Sequence, residues 1–158
     1  MAAHHRKIAN QRRDFAHQRR DFAHQLSRRL VNDYDLIVFE DLQIKNMARR
    51  PRPRPDGTGG YEANGANAKA GLNRSIHDAG WGEFIAMTIY KAESAGREVI
   101  AVDPRNTSRT CSGCGHVSAG NRHGAVFRCL GCGREANADV NAAENILGAG
   151  GARQLIAA

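Results

Sequence analysis

Long apolar runs are missing from this sequence. The longest are as short as Leu36-Ile37-Val38-Phe39, which excludes a helix that crosses a membrane. The opening Met-Ala-Ala-His-His-Arg-Lys also lacks the apolar segment that export requires, so a soluble protein in a reducing cytoplasm is expected. Acids are in short supply, with 16 against 23 Lys and Arg, and the formal charge is +7. Such an excess, with a pI near 9.7, favours a polyanionic partner. Glycine and proline are absent from Ala3 to Asn32, so nothing there interrupts a helix. What remains is a chain of 158 residues, 41% apolar, about one domain in length.

The uninterrupted segment holds Ile8, Phe15, Phe22, Leu26 and Leu30 at steps of seven and four, the periodicity of a long amphipathic helix. Within it Gln11-Arg-Arg-Asp-Phe-Ala-His17 repeats at once as Gln18-Arg-Arg-Asp-Phe-Ala-His24. A helix drifts only ~20° over seven residues, so this duplication adds two turns and keeps Phe15 and Phe22 on one face. Much of the basic excess lies here, including Arg12, Arg13, Arg19 and Arg20. Such a run is either a solvated helix face or a nucleic-acid contact.

Asp35-Leu-Ile-Val-Phe-Glu40 reads as a strand buried on both faces of a parallel sheet. Residues 47–71 are rich in Arg, Pro, Gly, Asn and Ala, and are expected to form a long mobile loop. Its Arg49-Arg-Pro-Arg-Pro-Arg-Pro55 stretch suits extended polyproline II, as a linker or along a phosphate backbone. Trp81, Phe84, Ile85, Thr88, Ile89 and Ala92 then mark a helix face, with Trp81 as a core anchor. Glu98-Val-Ile-Ala-Val102 is a second buried strand. Strand, helix, strand implies an α/β fold with a parallel crossover. A last helix is expected from about Asn137 to Leu147, followed by a frayed glycine-rich tail.

All four cysteines fall into one pattern: Cys111-Ser-Gly-Cys114-Gly115 and Cys129-Leu-Gly-Cys132-Gly133. Each C-x-x-C-G is a tight turn that aims two thiolates at one point, and the trailing glycine can adopt the left-handed conformation. Two such turns complete a tetrahedron for one structural Zn²⁺. Disulfides and a redox C-x-x-C are the alternatives, disfavoured by the reducing setting and by the matched pair of motifs. Four thiolates leave no open coordination position. Few apolar residues lie between 107 and 136, so the metal must supply much of that segment's folding free energy. Arg109 and Arg122 make its surface a further candidate for nucleic acid, with or without chemistry.

Glu40 stands at the carboxyl end of the first strand, where open α/β sheets place their sites, and Asp139 stands early in the last helix. Alone, each has an ordinary reading, as a solvated strand-end acid and as a helix-dipole partner. Together, Val38-Phe-Glu-Asp-Leu42, Asp103-Pro-Arg-Asn-Thr-Ser-Arg-Thr-Cys-Ser-Gly-Cys-Gly115, the second cysteine pair and Ala138-Asp-Val-Asn-Ala-Ala-Glu-Asn-Ile146 have a specific order and spacing. They resemble the C-terminal half of the TnpB/OrfB proteins of insertion sequences, relatives of the type V CRISPR effectors. Asn10-Gln-Arg-Arg-Asp14 and Gly80-Trp81 extend the resemblance over about residues 6–147.

The resemblance implies a partial RuvC-like, RNase H-type fold over 1–106, lacking its first strands. A zinc ribbon over 107–136, a last helix over 137–149 and a tail over 150–158 complete it. It further implies a guide-RNA-directed DNA endonuclease, also described as a transposase, with DNA and guide RNA as partners. In it Glu40 and Asp139 are two of three carboxylates that bind Mg²⁺ or Mn²⁺. The family's first catalytic Asp precedes the long helix and has no counterpart here, so a truncated or split protein of low activity is expected. A strand with an unpaired edge is expected with it.

Overall fold

The computed structural model describes residues 2–157, and the side chains of residues 5–152. The chain divides into two compact units, one built from the first helix and Gln43–Ala95, the other from Tyr34–Leu42 and Gly96 onward. Among the described residues no helix is long and apolar enough to cross a membrane.

In the first unit, helix α1 covers Ala2–Asp33, the uninterrupted span that lacks glycine and proline. Its periodicity correctly marks a helix but overstates its burial. Ser27 and Val31 are fully buried, whereas Phe15 and Phe22 are 63% and 66% exposed. The cause is the partner: α1 packs on α4 (Trp81–Ala95), where buried Lys91 bonds to His24 and Ser27 in the C-terminal third of α1. Trp81, expected in the core, is 42% exposed on the first turn of α4.

The expected loop over 47–71 is partly helical. Helix α2 covers Ile44–Met47, and α3 covers Ala66–Ala79, so its first six residues fall inside that span. Alanine favours α3, but only Ile76 is buried on it, which is why apolar periodicity did not reveal it. Polar ties hold it instead: the Lys69 ammonium donates to the Met47 carbonyl, and Asn73 Nδ2 to that of Ala48 at 2.7 Å. Between the helices, Asp56 Oδ1 accepts from Thr58 N, Thr58 Oγ1 and Gly60 N, closing a turn flanked by a Pro55–Tyr61 bridge.

Lys91 is a buried cation that the sequence did not flag. Its Nζ donates to the His24 carbonyl and Ser27 Oγ, both at 2.7 Å. Burial lowers its pKa, and the Arg28 charge adds to the effect. The unfolded chain therefore holds this proton to a higher pH than the folded one, so folding stability rises as pH climbs through the lowered folded value towards the unfolded one, ~10.4. Urea titrations of wild type and Lys91→Met across the alkaline range should show this rise in the former and its loss in the latter. Equal slopes would refute it.

In the second unit, β1 (Leu36–Glu40) and β2 (Glu98–Val102) pair in parallel, Leu36 opposite Glu98 and Glu40 opposite Val102. Ile37 and Val102 are buried, but Val38 and Phe39 are only half-buried, less than the expected burial on both faces. Among the described residues this sheet has two strands. Helix α5 (Ala138–Ala157) packs on both and does not stop near Leu147. It continues through Gly148, Gly150 and Gly151 to Ala157, in place of the frayed tail expected from residue 150 onward, of which Ala158 lies outside the described residues. Gly150 is buried where a Cβ would lie 2.4 Å from Val38 Cγ2, so the missing side chain is what admits the strand.

Candidate metal centre and its neighbouring carboxylates

The two cysteine turns are built alike. In one, Gly115 N donates to the Cys111 carbonyl and Cys111 N to that of His116; in the other, Gly133 N donates to Cys129 and Cys129 N to Arg134. Gly115 and Gly133 both have φ of 76°, the left-handed conformation that the C-x-x-C-G motif requires. A short three-stranded antiparallel sheet supports them, formed by β3 (Arg122–His123), β4 (Val126–Arg128) and β5 (Glu135–Asn137). Its core is small: Cys111, Phe127, Cys129 and Ala138. Asn121, fully buried, joins the halves by donating to the Arg109 and His116 carbonyls and accepting from Leu130 N.

The four sulfurs lie within 4.8 Å of one another. Cys111 and Cys132 are 3.8 Å apart and Cys114 and Cys129 3.6 Å, far beyond a disulfide bond. Tetrahedral thiolates at the usual Zn–S length of ~2.3 Å stand about 3.8 Å apart, so the donor set and its spacing fit zinc. Two turn N–H groups, of Gly131 at 3.3 Å and Cys132 at 3.4 Å, point at Cys129 Sγ. Chiefly through the Cys132 N–H, this thiol is lowered to about 6. Cys114, although the His116 N–H acts to lower it, is pushed up to about 12 by the Cys132 thiol, by burial and by its other sulfur neighbours.

Among the described residues, this quartet is the one group of three or more potential metal ligands within reach of a single ion. Glu40 and Asp139 belong to no such group, so the residues present do not by themselves form a three-carboxylate site. Glu40 ends β1, and its Oε1 accepts from the Thr107 hydroxyl at 2.5 Å. Asp139 is on the first turn of α5, its side chain 80% exposed and 3.1 Å from Arg122. The cap of α5 is Asn137, whose Oδ1 accepts from Asp139 N and Val140 N. Asp139 is thereby left free of capping and favourably placed in the helix dipole.

Three of the other basic residues singled out from the sequence also have side-chain partners. Arg19 pairs with Asp78 and Arg20 with Glu83, both on well-exposed side chains, and Arg13 donates to Asn10. Arg12 and Arg19 line one open cleft with Phe15 and Arg74. Arg109 N bonds to the Asn106 carbonyl within the loop before Cys111.

Sequence reasoning missed the residues that seat the cysteine unit on α5. Asn141, fully buried, donates to the Thr110 carbonyl and accepts from Ser112 N, with Ser112 Oγ 2.9 Å from its carbonyl oxygen. Asn145 donates to the carbonyls of Thr107 and Thr110, and Glu144 accepts from Ser112 Oγ and Arg134. Two asparagines inside a helix were the available signal, because that residue is a poor helix former unless its amide has another task.

These features define a class: a mixed helix–strand chain with a four-thiol cluster set between its second parallel strand and its last helix. Its fold resembles that of a chain in a cryo-EM structure of a Cas12f1–sgRNA–target DNA complex, with a TM-score of 0.54 at 23% identity, covering 88% of this chain and 35% of that one. Residues 81–146 match the family model described as Cas12f1-like, TNB domain. InsQ of Escherichia coli K12, a candidate RNA-guided DNA endonuclease by name, is 43% identical over 119 residues, 75% of this chain and 29% of its own length. The CRISPR-associated endodeoxyribonuclease Cas12f1 of Sulfoacidibacillus thermotolerans is 61% identical over 59 residues, 37% of this chain and 14% of its own. The chain belongs to the TnpB/OrfB family, related to the type V CRISPR effectors. It spans less than a third of the length of these curated relatives.

Proposed function

We propose that this chain contributes the second and third carboxylates and the zinc ribbon of a transposon-encoded, guide-RNA-directed DNA endonuclease. The observation that carries the reading is the cysteine quartet seated directly on α5, the helix whose first turn presents Asp139. In this reading the quartet holds a structural Zn²⁺, and β1 and β2 are two strands of an RNase H-like sheet. Residues 1–106 and 137–149 form the partial RuvC-like domain around the ribbon at 107–136. Glu40 and Asp139 serve a Mg²⁺ or Mn²⁺ site. Oxygen donors suit those hard ions, which supply an activated water and stabilise the leaving oxygen when bound. Two carboxylates hold such ions weakly, so the purified chain should bind DNA or RNA and cut little. Arg12, Arg13, Arg19, Arg20, Arg109 and Arg122 are the assigned phosphate contacts.

One observation favours a second reading, a binding module without chemistry: Asp139 faces Arg122, a cation of the protein's own. Both readings predict binding that weakens steeply with salt. Cleavage separates them. In the nuclease reading, trace Mn²⁺-dependent nicking of plasmid DNA is lost in Glu40→Ala and Asp139→Ala while binding is unchanged. Nicking that survives both substitutions sinks the nuclease assignment, and brisk cleavage removed by Glu40→Ala sinks the low-activity part of it.

A further inference from the structure

The Glu40 carboxylate does not stand on its strand unsupported. We propose that Thr107 is a positioning residue for Glu40, and that Asn141 and Asn145 make its placement depend on the folded cysteine unit. The proposal rests on the nuclease reading for its significance, but its geometry stands alone.

Thr107 Oγ1 lies 2.5 Å from Glu40 Oε1 and 3.1 Å from the Pro104 carbonyl. A hydroxyl has one proton, and the shorter contact is the length of a charge-assisted O–H···O⁻ bond, so the proton goes to the carboxylate. The loop that presents Thr107 is sharply bent. Asn106 takes the left-handed conformation at φ 62°, and its carbonyl accepts from Arg109 N, Thr110 N and Thr110 Oγ1. Asparagine is the residue other than glycine that tolerates this best.

Two asparagines of α5 fix that loop from the other side. Asn145 Nδ2 spans the Thr107 and Thr110 carbonyls at 2.9 and 2.8 Å, and Asn141 Nδ2 also reaches Thr110 at 2.8 Å. The Asn141 carbonyl oxygen meanwhile accepts from the backbone N–H of Ser112, the residue after Cys111, whose hydroxyl proton goes to the nearer Glu144 carboxylate at 2.6 Å. A continuous series of hydrogen bonds thus runs from the first cysteine turn, through α5 and the 106–110 loop, to Glu40. Asp139 is two residues from Asn141, so one helix aligns both acids. If the cysteine turn opens, Ser112 and Thr110 leave, and Thr107 loses the seat from which it holds Glu40.

The test is made on the zinc-loaded full chain by NMR, with the Thr107 hydroxyl proton sought through its scalar coupling to the Glu40 carboxyl carbon. The expected result is a slowly exchanging hydroxyl, retained in Thr107→Ser, absent in Thr107→Val with β1–β2 amide shifts intact, and exchanging at least ~10-fold faster in Asn145→Ala. Cobalt charge-transfer absorption of each variant verifies that the cysteine unit is folded. A wild-type hydroxyl in fast exchange overturns the proposal, as does one unmoved by Asn145→Ala. In a separate arm, Mn²⁺ should broaden the Glu40 carboxyl signal in wild type and less in Thr107→Val. If the hydroxyl bond is present and Mn²⁺ has no effect on Glu40, the nuclease reading fails and the positioning assignment holds.

Discussion

Cys129→Ser, or removal of metal by a strong chelator, is expected to unfold residues 107–137 while α1 and α4 remain helical. The apolar residues of this segment cannot hold it together, since Val117, Val126 and Leu130 are all at least half exposed and the buried cluster is two cysteines, one phenylalanine and one alanine. Structural zinc in small domains supplies roughly 10–16 kcal/mol of apparent binding free energy at neutral pH, far more than this core could offer. Cys129 should be the most sensitive position, because it is buried and two backbone N–H groups converge on its sulfur; Cys114, on the surface, should cost less. Amide hydrogen exchange would report it: protection at Phe127, Cys129 and Asn121 should vanish on chelation, with protection at Val31 and Met87 kept. Full protection in the chelated protein would remove the case for a metal-built unit.

A large effect is also expected from a single methyl group. Gly150→Ala sets its Cβ against both methyls of Val38, at 2.4 and 2.7 Å, and valine on a strand has little rotamer freedom with which to yield. Overpacking of this kind costs about 1–3 kcal/mol, against which alanine's helix preference returns only about 0.5–1. Gly148→Ala and Gly151→Ala meet open space on the same helix and should stabilise it. Thermal unfolding of the three variants, and of Gly150→Ala with Val38→Ala, tests the argument. Rescue in the double variant identifies the contact, whereas equal behaviour of all three glycines would show that no close approach exists.

The cysteine geometry was legible because its motif specifies both the sulfur spacing and the glycine conformation, and local constraints of that kind survive any tertiary context. Helix α1 and strands β1 and β2 were legible from periodicity and from apolar runs. Burial was not, because it depends on the partner: the step of seven that joins Phe15 to Phe22 is the same whether or not another helix covers them. Helix α3 and the extension of α5 were missed for related reasons. Alanine-rich and glycine-rich turns carry almost no apolar pattern, and what fixes them, Lys69 and Asn73 on one and Val38 against the other, is a contact between residues distant in sequence. The roles of Thr107, Asn141 and Asn145 were hidden in the same way. Lys91 was hidden by its charge, which reads as solvated until a structure supplies two acceptors.

The exposed heptads of α1 also bear on how such a gene can change. The duplicated block Gln18–His24 adds about two turns to a stretch in which Ile8, Phe15 and Phe22 all face outward, and because a heptad rotates the helix by only ~20° the His24 carbonyl can keep its bond from Lys91. Replication slippage in units of this heptad is therefore nearly invisible to selection on folding. Loss or gain of one, two or five residues just ahead of Ser27 and Val31 would instead rotate the upstream helix by ~100° or more relative to the face packed on α4. Seven residues is thus the step by which this helix changes length at least cost to its packing.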